Sequence, residues 1–207
     1  NSTLQQVFVT YDDVGFKFMS AESESQLLEE AISHLKSSGI CFSEGYHSEV
    51  NTTMKPWLQA IYDSMKNGVV LLIDYGYPRK EYYHESRHKG TLQCYFQHRV
   101  HDDPLKLVGL QDITAHVDFT AVAEAAVASE FTVSGYTSQA MFLLNTGLPE
   151  LLTQESADDI KRFNRNQQVK QLTLPTEMGE QFKVMALGKG YAEVLMGFSQ
   201  QNRLHLL

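Results

Sequence analysis

Residues 69–73, Val-Val-Leu-Leu-Ile, constrain this chain more than any other stretch, because five consecutive apolar side chains leave no polar face. A strand written this way is expected to be buried on both faces, the pattern of a parallel sheet covered by helices. The stretch before it reads as a helix. Met54, Trp57, Leu58, Ile61, Tyr62 and Met65 recur at helical spacing, and Pro56 sits in the first turn, where its missing N–H costs little. Asn67-Gly68 supplies a stop. Helix, glycine turn and buried strand make half of an α/β unit, so the expected class is α/β. Asp74 ends the apolar run. Ligands of open α/β sheets bind beyond the carboxyl ends of strands, which makes Asp74-Tyr75-Gly76-Tyr77 a candidate site.

Other periodicities predict further elements. Residues 5–10 and 16–19 flank turn residues 11–15 and read as a hairpin. Leu27, Leu28, Ala31, Ile32 and Leu35 predict a helix over residues 24–36, with Gly39 past its end. Residues 40–42 predict at most a short strand. Asp118 can cap a helix over residues 119–128. Strands are expected at residues 131–133 and 181–187, with one helix from Ser138 toward Leu152 and another from Ser156 to about Val169. Residues 75–118 are irregular, punctuated by Gly76, Pro78, Gly90, Pro104 and Gly109, and such a stretch is expected to be a functional loop. The tail, residues 191–207, is amphipathic without an assignable element.

The composition excludes several function classes. With 17 basic and 25 acidic residues the net charge is -8, which argues against a nucleic-acid groove. A compact chain of this size buries ~70% of its unfolded surface and needs no staples. Cys41 and Cys94 form no CxxC, which suits a reducing compartment and argues against a thiolate zinc site. No apolar stretch approaches a membrane span, and no signal or transit pattern opens the chain, which starts at Asn1. The pairs His84/His88 and His98/His101 would suit zinc on a helix, but glycine and proline flank them and no metal site is expected. His116-Val117-Asp118 is the first part of an iron facial triad, yet only His205 follows as a distal histidine. There is no GxSxG, GxGxxG or Walker loop.

Longer blocks carry a resemblance. They are Glu44-Gly45-Tyr46-His47-Ser48-Glu49-Val50-Asn51, then Trp57, then LLIDYGYPRKEYYH ending at His84. Arg87-His88-Lys89-Gly90-Thr91-Leu92, His98, Asp102-Asp103-Pro104 and GLQDITAHVDF ending at Phe119 follow. QAMFLLN from Gln139 and MGEQFKV from Met178 complete the set. In these blocks the chain resembles the MidA-like family of S-adenosylmethionine-dependent methyltransferases. The resemblance implies a class I, Rossmann-like sheet with helices on both sides. It implies S-adenosylmethionine as cofactor and a protein substrate. In mitochondrial relatives that substrate is an arginine of a respiratory complex I subunit, methylated during assembly. The family's glycine-rich loop, ribose-binding acidic residue and Asn-Glu segment have no counterpart here. The resemblance therefore implies that residues 1–207 are a C-terminal portion, with strands five to seven and a helical insertion at residues 138–170. This chain would then be inactive alone and hold no cofactor-binding residue of its own. Its location would be cytoplasmic for a bacterial source and mitochondrial for a eukaryotic one. The open edge of residues 69–73 would favour self-association.

Methyl transfer to arginine needs the guanidinium held in line, which carboxylates do bidentately, and a base for its proton. From the resembling blocks, Asp74, Asp112 and His116 are the expected catalytic residues. Glu49, Tyr75, His98 and Asp118 are expected on the substrate side. Asp118 also reads as a helix cap, and Glu49 as a residue that opens a helix. Two other classes fit the same residues: a non-catalytic assembly or binding module on this fold, and a metal-dependent hydrolase.

Overall fold

The computed structural model describes residues 4–97, 99–153, 159–191 and 193–207. The chain opens with strands β1 (Gln5–Asp12) and β2 (Gly15–Glu22), then helices α1 (Gln26–Ser37) and α2 (Met54–Ser64). Strand β3 (Gly68–Tyr77) and the short helix α3 (Arg79–Tyr82) follow, then strands β4 (Gln93–Phe96), β5 (Arg99–His101), β6 (Asp112–Thr114) and β7 (Val117–Asp118). Helix α4 (Phe119–Ala128), strand β8 (Thr132–Ser138) and helices α5 (Gln139–Asn145), α6 (Leu148–Leu152), α7 (Asp159–Thr173) and α8 (Met178–Gln181) precede the last strand, β9 (Phe182–Lys189). The chain divides into two compact units, residues 1–52 with 83–116 and residues 53–82 with 117–207.

The second unit is built on a four-stranded sheet in the order β7-β3-β9-β8. β9 is antiparallel to both neighbours, and β3 is parallel to β7. Period-two alternation gives the sheet two apolar faces. Met185 and Leu187 of β9 share one face with Val70, Leu72, Val133 and Tyr136. There they meet Leu58 of α2 and Phe119, Val122 and Ala126 of α4 in one buried cluster. Val184 and Ala186 look the other way, against Phe198, Phe142 and Leu195. Gly135 allows that packing, because a Cβ there would lie 2.3 Å from the Phe198 ring. Helices on both faces of the sheet make this a layered α/β unit.

The predicted helices form, except that the one expected from Ser138 toward Leu152 is two, α5 and α6, separated at Thr146-Gly147, where Gly147 takes φ +96°. In α2, Leu58 is fully buried and Ile61, Tyr62 and Met65 pack beside it, while Trp57 is 48% exposed and flanks the stripe instead of filling it. The end of β9 closes this helix: Lys189 Nζ donates to the carbonyls of Tyr62 and Met65, each at 2.7 Å. A cation at a helix C-terminus satisfies orphan carbonyls and complements the dipole. The tail that had no assignable element is tied along β8. Asn202 Oδ1 accepts from Tyr136 N at 3.1 Å, and Arg203 N donates to Tyr136 O at 2.6 Å. β8 runs to Ser138, well beyond the three residues expected, and Ser138 caps α5. The expected helix start at Ser156 lies outside the described residues.

β3 departs from expectation in three respects. Its long pairing is antiparallel, with β9; the parallel pairing covers only Gly76–Val117 and Tyr77–Asp118. The apolar run is not buried on both faces, since Leu71 and Ile73 are 43% and 50% exposed. β7 is too short to flank them. The strand also continues to Tyr77, so Asp74 lies within the ladder opposite Lys183 and not at the strand end. Gly76 makes the extension possible: a Cβ there would fall 2.2 Å from Val117 O.

In the first unit the hairpin pairs from Gln5–Glu22 to Asp12–Gly15. Asp12 Oδ1 accepts from Val14 N and Gly15 N, and Gly15 has φ +136°. This side-chain mimic of a turn fixes the register. Ser25 Oγ caps α1 by accepting from Leu28 N at 3.3 Å. Residues 40–42 form no strand. The stretch expected to be one long loop instead holds a three-stranded antiparallel sheet, β5-β4-β6, with Cys94 buried in its central strand. Strands of three or four residues are too short to show a period.

Candidate functional site

Three of the sequence blocks meet at Glu49. Its carboxylate accepts from Thr91 N at 2.9 Å, Thr91 Oγ1 at 3.0 Å and Leu92 N at 3.3 Å. Gly90, at φ +81°, leaves room, because a Cβ there would lie 2.3 Å from Glu49 Oε1. The buried Thr91 hydroxyl accepts in turn from His116 N at 3.1 Å. Glu49 opens no helix; it clamps the turn at residues 90–92 and, through Thr91, the backbone at His116. The structure thus joins Glu49 and His116, which nothing in their spacing indicates. Asp112 begins β6, opposite Tyr95, with its side chain exposed. His98 lies outside the described residues.

Asp118 and Arg79 organise the second unit near the end of β3. Asp118 Oδ1 accepts from Thr120 N at 3.0 Å and Ala121 N at 3.1 Å, so it caps α4 as its position predicts. Its Oδ2 faces Arg79 Nε at 3.4 Å. Arg79 is buried and grips Glu124 with two further bonds of 2.7 and 2.5 Å. Burial pushes the Asp118 carboxyl above its ordinary range, against the Ala121 N–H and the Arg79 charge. Asp74 Oδ1 accepts from Tyr75 N at 2.8 Å, and the Tyr75 ring meets Phe182 edge-on at 5.4 Å.

A cavity of about 280 Å³ opens in this unit, with Tyr77, Pro78, Tyr136, Glu180, Lys183 and Arg203 in its wall. β3 and β8 both oppose β9 and so bring their carboxyl ends to the same side, where ligands of such sheets bind. Arg203 holds Glu180 bidentately at 2.8 and 3.0 Å, and this pairing keeps the Glu180 carboxyl below its ordinary range. Lys183 is 7% exposed. Its ammonium donates to the Glu180 carbonyl and lies 5.7 Å from the Tyr77 ring centroid. Burial pulls its pKa down, opposed by Glu180 and Glu81. Tyr136 is fully buried, and its hydroxyl has no hydrogen-bond partner among the described residues. Sequence reasoning placed Tyr77 in a candidate site but not Tyr136, Glu180, Lys183 or Arg203. A signal existed: Lys183 interrupts an apolar strand, and a buried charge is costly unless it is held.

Among the described residues no three His, Cys, Asp or Glu side chains group as metal ligands. Nor does a glycine-rich turn there lead from a strand into a helix, as an adenosyl cofactor would need. The space at Gly76, at the end of β3, is filled by Val117 and Phe119.

Comparison with known proteins agrees with this layered architecture. The profile of a family described as "Putative S-adenosyl-L-methionine-dependent methyltransferase" matches residues 1–137. The protein arginine methyltransferase NDUFAF7 homolog, mitochondrial, of Drosophila melanogaster is 31% identical over 128 residues, or 59% of this chain and 27% of that protein. Two crystal structures from Burkholderia thailandensis are each 38% identical and cover 98% of this chain. One, of an uncharacterized protein, superposes with a TM-score of 0.88 over 54% of its own chain. The other, bound to S-adenosyl-homocysteine, does so with a TM-score of 0.89 over 52%. The chain therefore spans about half the length of those structures and 27% of the Drosophila protein. Its fold is that of Rossmann-like methyltransferases, and the chain belongs to the family of S-adenosyl-L-methionine-dependent methyltransferases.

Proposed function

We propose that the protein carrying this chain transfers methyl groups from S-adenosylmethionine to arginine side chains of a protein. The observation that carries the reading is the match of 98% of the chain, at 38% identity, to a structure that holds S-adenosyl-homocysteine. The choice of arginine rests on the Drosophila relative, a protein arginine methyltransferase. On this reading the chain is a C-terminal portion of the domain, with β3, β8 and β9 as strands five, six and seven and α5 to α7 as the family insertion.

S-adenosylmethionine supplies a methyl carbon on a sulfonium sulfur. The protein would have to hold a guanidinium nitrogen in line with that carbon, whose bond to sulfur would break with its electron pair on sulfur, and offer a base for the proton the nitrogen loses. Guanidinium is a poor nucleophile because its lone pairs are delocalised. Carboxylates that grip it localise the charge on the far nitrogens. Asp74 and Asp112 each expose a carboxylate of the kind that grips a guanidinium, and histidine, the residue at position 116, is the commonest side-chain base. The Asp118 carboxylate is engaged by its helix and Arg79, and Glu49 by the 90–92 turn, so their part is positioning.

The test is transfer of tritiated methyl from S-adenosylmethionine to acceptor proteins, followed by acid hydrolysis. Methylarginine is expected, and label confined to other amino acids rejects the reading. Asp112→Ala and His116→Ala are expected to lower turnover by at least ~100-fold with little change in melting temperature. Near-normal turnover in both removes them from the site.

A further inference from the structure

The cavity beside Tyr136 carries an inference that does not depend on methyl transfer. Its wall holds two buried donors, Tyr136 and Lys183. Tyr136 keeps its proton, because burial drives its pKa upward, with Glu81 adding to the shift and Arg203 opposing it. Tyr136 is itself part of the cavity wall, and its buried hydroxyl has no partner among the described residues. Lys183 offers three N–H donors and uses one on the Glu180 carbonyl. The Glu180 carboxylate is already taken by Arg203, and Glu81 stands exposed at the wall. The surplus is one desolvated ammonium and one desolvated hydroxyl.

We propose that this cavity binds a carboxylate, one oxygen accepting from Tyr136 Oη and the other from Lys183 Nζ. Among the described residues Lys183 makes no ion pair with a carboxylate, although Glu180 and Glu81 are close enough to act on its charge; a single negative charge suits that wall better than a phosphate dianion. Pro175 and Leu206 add apolar surface for a short aliphatic stem. An unmet buried donor is expensive, and charge-assisted bonds to it are the strong kind. The carboxylate can come from a small acid or from the free C-terminus of another chain.

The experiment is calorimetric titration of the protein with N-acetylglycine, with a short peptide ending in a free glycine carboxylate, and with the same peptide amidated. Saturable binding of either acid, and not of the amide, is expected; the tighter of the two identifies the source. Tyr136→Phe is expected to weaken binding by at least about tenfold while melting no lower than the parent, because its hydroxyl has no internal partner to lose. Lys183→Met is expected to weaken it similarly; should that variant fail to fold, Tyr136→Phe alone decides. A cavity that takes up water only, affinity undiminished in Tyr136→Phe, or equal binding of acid and amide would each overturn the assignment.

Discussion

Glu49 holds two backbone N–H groups and a hydroxyl with one carboxylate, so its truncation leaves several polar groups unmet at once. Glu49→Ala is expected to lose about 2–3 kcal/mol in urea unfolding, and Glu49→Gln about 1 kcal/mol, since the amide keeps one acceptor oxygen. Equal losses in the two variants would show that charge, not hydrogen bonding, holds the turn. The pair of Glu180 and Arg203 makes a pH prediction. Arg203 holds the folded Glu180 carboxyl below its unfolded value. The pair therefore contributes stability above the ordinary glutamate pKa, and that contribution fades as pH falls through the folded value. Arg203→Gln is expected to begin acid unfolding at higher pH, followed by circular dichroism; an unchanged acid limb would mean that the pairing is too well solvated to matter. Single residues were partly legible in the sequence. Asp118 announced itself as a cap by preceding an apolar helix. Glu49 did not, because its partners at residues 90–92 are distant in the chain and become neighbours only through the fold.

Elements show where local pattern suffices and where it does not. Helices α2 and α4, the hairpin and β9 follow from period, caps and turn residues, all of which act within a few positions. The direction of a strand's neighbours is not written in its side chains, and so β3, with its continuous apolar run, reads as parallel although its long partner is antiparallel. The strands β4 to β6 escape detection because none is longer than two alternations. The junction of β3 with β7 depends on one absent side chain. Gly76→Ala places a methyl against the Val117 backbone and the Phe119 ring, which cannot both retreat without moving α4. It is expected to lower stability by about 2–3 kcal/mol in thermal or urea unfolding. A loss under ~0.5 kcal/mol would mean that the parallel pairing contributes nothing.

At the scale of the whole molecule the unshared apolar surface is the first consequence. Val9, Tyr11, Phe16 and Phe18 lie on one face of the hairpin and are 56%, 69%, 49% and 51% exposed. Ordinary monomers rarely leave so continuous a patch to water, and the incompletely paired edge of β3 adds a second adhesive site. The 207-residue chain is expected to associate with itself at micromolar concentrations in sedimentation velocity, and Phe18→Lys is expected to shift it toward monomer. A monodisperse monomer at those concentrations would refute this. The strand order β7-β3-β9-β8 has a consequence of another kind. One of the two inner strands, β9, is the last of the four to be made. A ribosome releases β3 and β8 well before β9, and until β9 emerges neither has the partner it needs. Tyr136, Val70 and Leu72 must wait with their apolar neighbours uncovered, a state that invites wrong pairings. Closure of this unit thus waits for β9, and its pace is set by contacts between distant parts of the chain.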